Sequence, residues 1–155
     1  MSKAHNIHIQ VQTQTFDVNN EIARLTKGNP RIGAVVSFIG LVRDLNEGDN
    51  VGQLTLEHYS GMTEKSLEDI TQQASERWDL LGQTIIHRVG ALQPTEPIVL
   101  VLSASIHRQH AFKSCEFMMD ILKTSAPFWK KERTDQGERW VDARVSDEKE
   151  KKKWD

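Results

Sequence analysis

Apolar and polar residues alternate over residues 7–13, with Ile7, Ile9 and Val11 on one face, the period of a half-buried strand. Residues 32–43, IGAVVSFIGLVR, form a longer strand rich in β-branched residues, and LTLEHY (54–59) returns as another. From about Thr63 to Leu80 the period changes: Leu67, Ile70, Ala74, Trp78 and Leu81 recur at helical spacing. Strands follow near 83–90 and 97–105, separated by Pro94 and Pro97. A second helix of about 108–123 buries Ala111, Cys115, Met118 and Leu122, with Phe112 and Met119 beside them. FWKKERT and ERWVDA flank Asp135-Gln136-Gly137, which reads as a hairpin turn. A short helix carrying Ile22, Ala23 and Leu25 starts at an Asp17 or Asn19 cap and is closed by Gly28 and Pro30. DLNEGDN (44–50) is a loop by composition, and SDEKEKKKWD (146–155) a solvated helical or frayed tail. Strands outnumber helices without alternating strictly with them. The fold class expected is α+β, an antiparallel or mixed sheet packed with two main helices plus a C-terminal hairpin.

Composition narrows what such a fold does. At 155 residues the chain is expected to be a single domain, and its formal net charge of −2 argues against a bulk nucleic-acid binder. The longest aliphatic run, Ile98–Leu102, is far short of the ~20 residues that cross a bilayer. No apolar leader opens MSKAHNIHIQVQ, and the single cysteine fits a reducing compartment, so a cytoplasmic location is expected.

Candidate chemistry concentrates in SASIHRQHAFKSCEFMMDILKTSAPFWKKE (103–132). His107, Arg108, Lys123, Lys130 and Lys131 stand at the two ends of one apolar-striped helix, with few acids among them. An ordinary solvated helix scatters its lysines opposite the core and alternates them with carboxylates. Cations gathered at the ends of a rigid element suit an anionic ligand. Phosphate-binding glycine loops, H-E-x-x-H and paired C-x-x-C motifs are absent. His107 and His110 lack an evident third ligand for a metal, and Cys115 sits in the helix's apolar stripe, where a thiol is inert. Glu57, His58 and Tyr59 end a strand and read as structural. Arg43 ends an apolar strand, where a fold presents side chains to a cleft.

Six blocks together carry a family resemblance: GAVVSFIGLVRD (33–44), LTLEHYSGMTEKSL (54–67), IIHRVGAL (85–92), SASIHRQHAF (103–112), MMDILKTSAPFWKKE (118–132) and RWVDAR (139–144). On these the chain resembles the large, catalytic subunits of molybdopterin synthases; the first 30 residues and the tail after Arg144 match weakly. The resemblance implies an α/β-hammerhead-like α+β fold and a sulfurtransferase of molybdenum cofactor biosynthesis. The substrate would be cyclic pyranopterin monophosphate, converted to the dithiolene of molybdopterin. Sulfur would arrive as the thiocarboxylate on the C-terminal Gly-Gly of a small ubiquitin-like subunit, and no metal or cofactor is called for. Carried over by position, the catalytic lysines fall on Lys123 and Lys130. The substrate-binding positions fall on Arg43, His107, Arg108, Lys131, Glu132 and Arg144, with Leu41 and Val42 beside Arg43. Phe38 and Met119 would contact the partner's tail. One departure is Leu41, where the family pattern leads one to expect a basic residue.

The chemistry agrees with those residue types. Both reactants are anions that repel one another unless preorganised cations compensate them. Arginine's planar fork suits phosphate, and lysine, whose pKa neighbouring cations lower, suits proton transfer. A sulfur imported by the partner leaves no need for a reactive cysteine. The rival reading is a non-catalytic binding module for a ubiquitin-like protein or an anionic ligand. Helix geometry adds an expectation: at ~1.5 Å per residue, His107 and Lys123 stand roughly 24 Å apart. A pyranopterin monophosphate is shorter by about half, so two chains related by a two-fold axis would be needed to bring both ends to one ligand. A homodimer is therefore expected on geometry, and the resemblance implies that it sits within a heterotetramer carrying one small subunit at each end.

Overall fold

The computed structural model describes residues 5–46, 49–141 and 145–155. In chain order its elements are β1 (Asn6–Gln12), α1 (Val18–Thr26), β2 (Ala34–Leu41), β3 (Leu45–Asn46), β4 (Asp49–His58), α2 (Met62–Arg77), β5 (Gly82–Arg88), β6 (Gly90–Leu92), β7 (Pro97–Ser105), α3 (Arg108–Ser125), β8 (Phe128–Thr134), β9 (Gly137–Val141) and α4 (Val145–Lys152). Asp17 is the cap that opens α1, its carboxylate accepting from the Asn20 N–H at 3.0 Å.

Two sheets result. The first is mixed, in the order β1-β5-β7-β2, with β1 parallel to β5 and the remaining pairs antiparallel. All seven residues of β5 are buried, because helices cover both faces of this sheet. Leu25 of α1 packs with Ile86, Leu100 and Leu102 on one face. Leu67 and Ile70 of α2 and Met118 and Leu122 of α3 pack with Ile85, Val99 and Val101 on the other. The second sheet places β4 between β6 and β8, with β9 on β8 and β3 on β4. Val42, Leu54, Leu56 and Leu92 form its own smaller core. The α+β expectation holds, with the sheet expected as one divided in two.

Four local expectations are corrected. DLNEGDN is not loop throughout: Leu45 pairs with Asn50 and Asn46 with Asp49, so residues at both ends of the tract enter an antiparallel ladder. Helix α2 ends at Arg77, three residues before Leu80, because Trp78 is extended and the Leu81 N–H is captured by the Ala104 carbonyl at 2.8 Å. Phe112 is 60% exposed, and the core position on α3 goes to Phe117. The tail is helical, yet Trp154 is docked rather than solvated. Its ring lies 5.4 Å from Phe117 and 5.7 Å from Trp78, edge to face, and its Nε1–H donates to Asp120 at 2.6 Å.

Gly33 marks the closest backbone approach. Its N–H donates to the Ser105 carbonyl at 3.0 Å, and a Cβ there would overlap the carbonyl oxygen of Ile106. Backbone cannot step aside as a side-chain end can. Gly33→Ala is therefore expected to cost about 1–3 kcal/mol. That lowers the melting temperature by several degrees, at ~2–4 °C per kcal/mol for a chain of this size. A thermal melt indistinguishable from wild type would count against this close contact.

Candidate functional site

Strand direction decides which candidate residues meet. Strands β2 and β7 are antiparallel, Ala34 opposite Ser105 and Leu41 opposite Pro97. Helix α3 leaves the Ser105 end of β7 and runs back across the sheet, the Cys115 thiol lying on the Val101 carbonyl on the way. Its last turn, with Lys123, therefore returns to the Pro97 end, where Arg43 also follows β2. His107 and Arg108 are left exposed at the opposite end, about 22 Å away along the fifteen steps of helix from Arg108 to Lys123.

At the Pro97 end, β8 supplies the second lysine. Alternation along β8 turns Lys130 and Glu132 to the face of Leu54 and Leu56, and Lys131 to the other. Lys130 is half-buried. Glu132 is 6% exposed and accepts from Arg139 Nε at 3.2 Å. Lys131 instead pairs with Glu138 at 2.9 Å and lies over the Trp140 ring.

Within electrostatic reach of Lys123 and Lys130 lies His87, a residue to which the sequence reading gave no role. It is 4% exposed, its Nδ1 lies 2.8 Å from the Arg88 carbonyl oxygen, and its ring stacks on Phe128 at 3.7 Å and 17°. Burial pushes its pKa down to about 3, the Arg88 carbonyl opposes this, and Lys130, Lys123 and His58 push it down further. Among the described residues, the charged or titratable side chains acting on this ring are those of Lys130, Lys123 and His58, all basic. His58 lies opposite Phe128 in the β4–β8 ladder, with its ring 6.4 Å from that of Phe128. The signal available in the sequence was a His-Arg pair inside a strand otherwise apolar enough to be buried on both faces. Arg88 accounts for its half of that signal by structure alone, donating to Glu96 at 3.2 Å and to the carbonyls of Thr13 and Pro97.

The remaining candidates fall as follows. Arg43 and Leu41 are exposed, whereas Val42 is buried and its backbone is committed, N–H to the Glu96 carbonyl and C=O to the Thr95 N–H, both at 2.9 Å. Phe38 is 38% exposed on β2, and Met119 is packed into the main core. Arg144 lies outside the described residues. His110 accepts from the Asp79 N–H at 3.2 Å, so its imidazole is engaged away from His107. Glu116, Asp120 and Glu150 come together elsewhere, and Lys153 sits among them at 2.6, 3.4 and 2.7 Å, an ion-paired cluster. Cys115 is buried and its thiol is pushed up to about 12, by burial first and Glu116 second. A thiol held protonated is no nucleophile. Cys115→Ser is thus expected to retain whatever activity the chain has, at a stability cost on the order of 1–3 kcal/mol if the hydroxyl goes unpaired. A folded but inactive variant would contradict this.

Known proteins share this architecture and sequence. The family model described as MoaE protein matches residues 11–125. The molybdopterin synthase catalytic subunit of Ralstonia nicotianae is 58% identical over 146 residues, covering 94% of this chain and 83% of the relative. That of Pseudomonas aeruginosa is 54% identical over 95% of this chain and 98% of the relative. The solved MoaE protein of Burkholderia ambifaria superposes with a TM-score of 0.83 at 52% identity, covering 96% of this chain and 97% of that one. The α+β chain, with basic residues gathered at one sheet end, is on these relatives an enzyme subunit acting in molybdenum cofactor biosynthesis. It belongs to the MoaE family, that of the molybdopterin synthase catalytic subunits. Among the described residues no helix is long and apolar enough to cross a membrane.

Proposed function

We propose that this subunit transfers sulfur from the C-terminal thiocarboxylate of a small ubiquitin-like partner to cyclic pyranopterin monophosphate, forming the molybdopterin dithiolene. The observation that carries the reading is the placement of Lys123, in the last turn of α3, and Lys130, on β8 two residues after the Phe128 that stacks on His87, where both act on that one buried imidazole. Such a place favours anions and suits reactants that would otherwise repel one another. For each sulfur delivered, the thiocarboxylate sulfur displaces an oxygen substituent from a carbon of the pterin side chain, so that a carbon–sulfur bond forms as a carbon–oxygen bond breaks. Water then hydrolyses the resulting thioester, breaking the bond from sulfur to the acyl carbon and releasing the partner as a carboxylate, and two thiocarboxylates are consumed per dithiolene. Lys123 and Lys130 act at the reacting atoms, offsetting negative charge and moving protons. Arg43, His107, Arg108 and Lys131 serve the phosphate and pterin, with Glu132, Leu41, Val42 and Arg144 shaping that region.

The partner's extended tail fits the exposed side of β2. That strand ends the order β1-β5-β7-β2, so one row of backbone groups is unpaired within its sheet, and Phe38, Ile39 and Leu41 are exposed along it. The separation of Arg108 from Lys123 along one straight helix favours pockets shared by two chains, hence a homodimer with a small subunit at each end. Incubating the purified protein with cyclic pyranopterin monophosphate and the thiocarboxylated partner tests the reading. Dithiolene should accumulate at two partner molecules consumed per product. A chain that binds the partner but forms no product would instead be a binding module.

A further inference from the structure

The loop that returns from β6 to β7 grips the chain just before Arg43. Strand β2 loses its ladder there: the β2–β7 register shifts between Gly40 and Leu41, and Leu41 stands opposite Pro97, which has no N–H to give. Backbone beyond such a point ordinarily loses its partners. Here the Val42 N–H donates to the Glu96 carbonyl and the Val42 carbonyl accepts from the Thr95 N–H, both at 2.9 Å. The second of these bonds fixes the peptide that joins Val42 to Arg43. The Val42 side chain is buried with Leu54, Leu56 and Leu92 in the core of the second sheet, so residue 42 is held by backbone and side chain alike.

The loop is itself built to keep one shape. Thr95 has φ 78°, a left-handed conformation that a β-branched residue seldom adopts and that persists only where the surroundings over-determine it. Glu96 supplies those surroundings. One of its carboxylate oxygens accepts from the Gln93 N–H at 2.6 Å and the other from Arg88 Nη1 at 3.2 Å, and the Glu96 N–H donates to the Gln93 carbonyl at 3.1 Å. Arg88 is in turn 7% exposed and donates to the carbonyls of Pro97, at 3.0 Å, and Thr13, at 3.0 and 3.2 Å. The Gln93 N–H first, and Arg88 after it, hold the Glu96 carboxyl below its usual range against the opposing effect of desolvation, so the acceptor is ionised at neutral pH. A chain of bonds thus runs from a buried guanidinium through Glu96 and the backbone of the loop to the peptide before Arg43.

We infer that Glu96, anchored by Arg88, is a positioning residue for substrate binding: through the 93–96 loop it fixes the backbone from which the exposed Arg43 reaches the anionic group of the substrate. The inference rests on the role proposed for Arg43 in holding the cyclic phosphate, and adds what keeps that side chain aimed. Among the described residues Arg43 makes no ion pair, so the placing of its guanidinium falls to the backbone. An arginine whose root is fixed in advance loses less freedom on binding. Glu96 faces Arg88 and the loop and need not touch substrate.

The test measures affinity for cyclic pyranopterin monophosphate by titration calorimetry, with the partner present in its carboxylate form so that no turnover occurs. Glu96→Ala is expected to weaken binding about 10-fold, the scale of a misplaced binding group. Glu96→Gln, which keeps an acceptor for the Gln93 N–H and gives up the ion pair, should lose less. An effect that runs through Arg43 must vanish without it: adding Glu96→Ala to Arg43→Ala should weaken binding no further than Arg43→Ala alone. A merely structural role would give losses that multiply. Should Glu96→Ala not fold, Thr95→Pro, which deletes the N–H on the Val42 carbonyl, must show the same dependence on Arg43. Wild-type affinity in folded Glu96→Ala, or losses that multiply with Arg43→Ala, overturn the inference and leave the proposed function standing. Wild-type affinity in Arg43→Ala instead removes Arg43 from the site, and the inference falls with that assignment.

Discussion

Lys123→Ala should lower dithiolene formation about 100- to 1,000-fold while leaving the fold intact, the usual effect of removing one preorganised electrostatic group. The fold should survive because Lys123 is exposed in the last turn of α3, while the contacts that fasten that helix are made by Ala111, Cys115, Phe117, Met118 and Leu122. A cation at a helix C-terminus also favours the helix dipole, so a few tenths of a kcal/mol of stability should be lost. That is too little to account for a rate effect of this size. The measurement is single-turnover product formation with saturating partner, alongside a thermal melt. Retention of more than about a third of wild-type turnover would remove Lys123 from the reaction. Lys130→Ala should be damaging in the same assay. Lys131→Ala should fall short of both, because Lys131 occupies the other face of β8 and is paired with Glu138.

Mixing two inactive chains, Arg108→Ala and Lys123→Ala, should restore activity. Helix α3 is continuous from Arg108 to Ser125, so its two basic ends are held about 22 Å apart and cannot close on one small ligand. If each pocket takes Arg108 from one chain and Lys123 from its two-fold mate, a mixed dimer holds one pocket with both defects and one with neither. Random exchange of equal amounts makes about half the dimers mixed, so roughly a quarter of all pockets, and of wild-type activity, should return. The exposed Ile106 and Phe112 beside Arg108 are apolar surface that a second chain would cover. No recovery despite exchange demonstrated by differently tagged chains would put each pocket within one subunit.

Much of the fold was legible because periodicity reports burial. The alternation at Ile7, Ile9 and Val11, the helical spacing of Leu67, Ile70 and Ala74, and the turn at Asp135-Gln136-Gly137 each match an observed element. The misreadings share one cause: local pattern cannot see a partner strand or a distant ring. Trp78 continues the apolar repeat of α2, but the β7 ladder captures the backbone three residues later. Trp154 stands in a run of lysines and acids, yet Phe117 and Trp78 provide a place for it. Phe112 and Phe117 are equally apolar, and only the direction of the α3 face against β7 and α2 decides which is buried.

By itself, the sequence determined the class of the fold, the cation-rich ends of α3 and the inertness of Cys115 as a residue of an apolar stripe. These depend on residue type and spacing, which survive without coordinates. Tertiary structure alone decided that Lys130 and Lys131, adjacent in sequence, point to opposite faces of β8. It alone brought His87, thirty-six residues before Lys123, within electrostatic reach of both Lys123 and Lys130. The physical reason is that sheet register and helix direction are set by which apolar faces bury against one another. Only when those faces meet does a half-buried lysine acquire its neighbours and a histidine lose its charge.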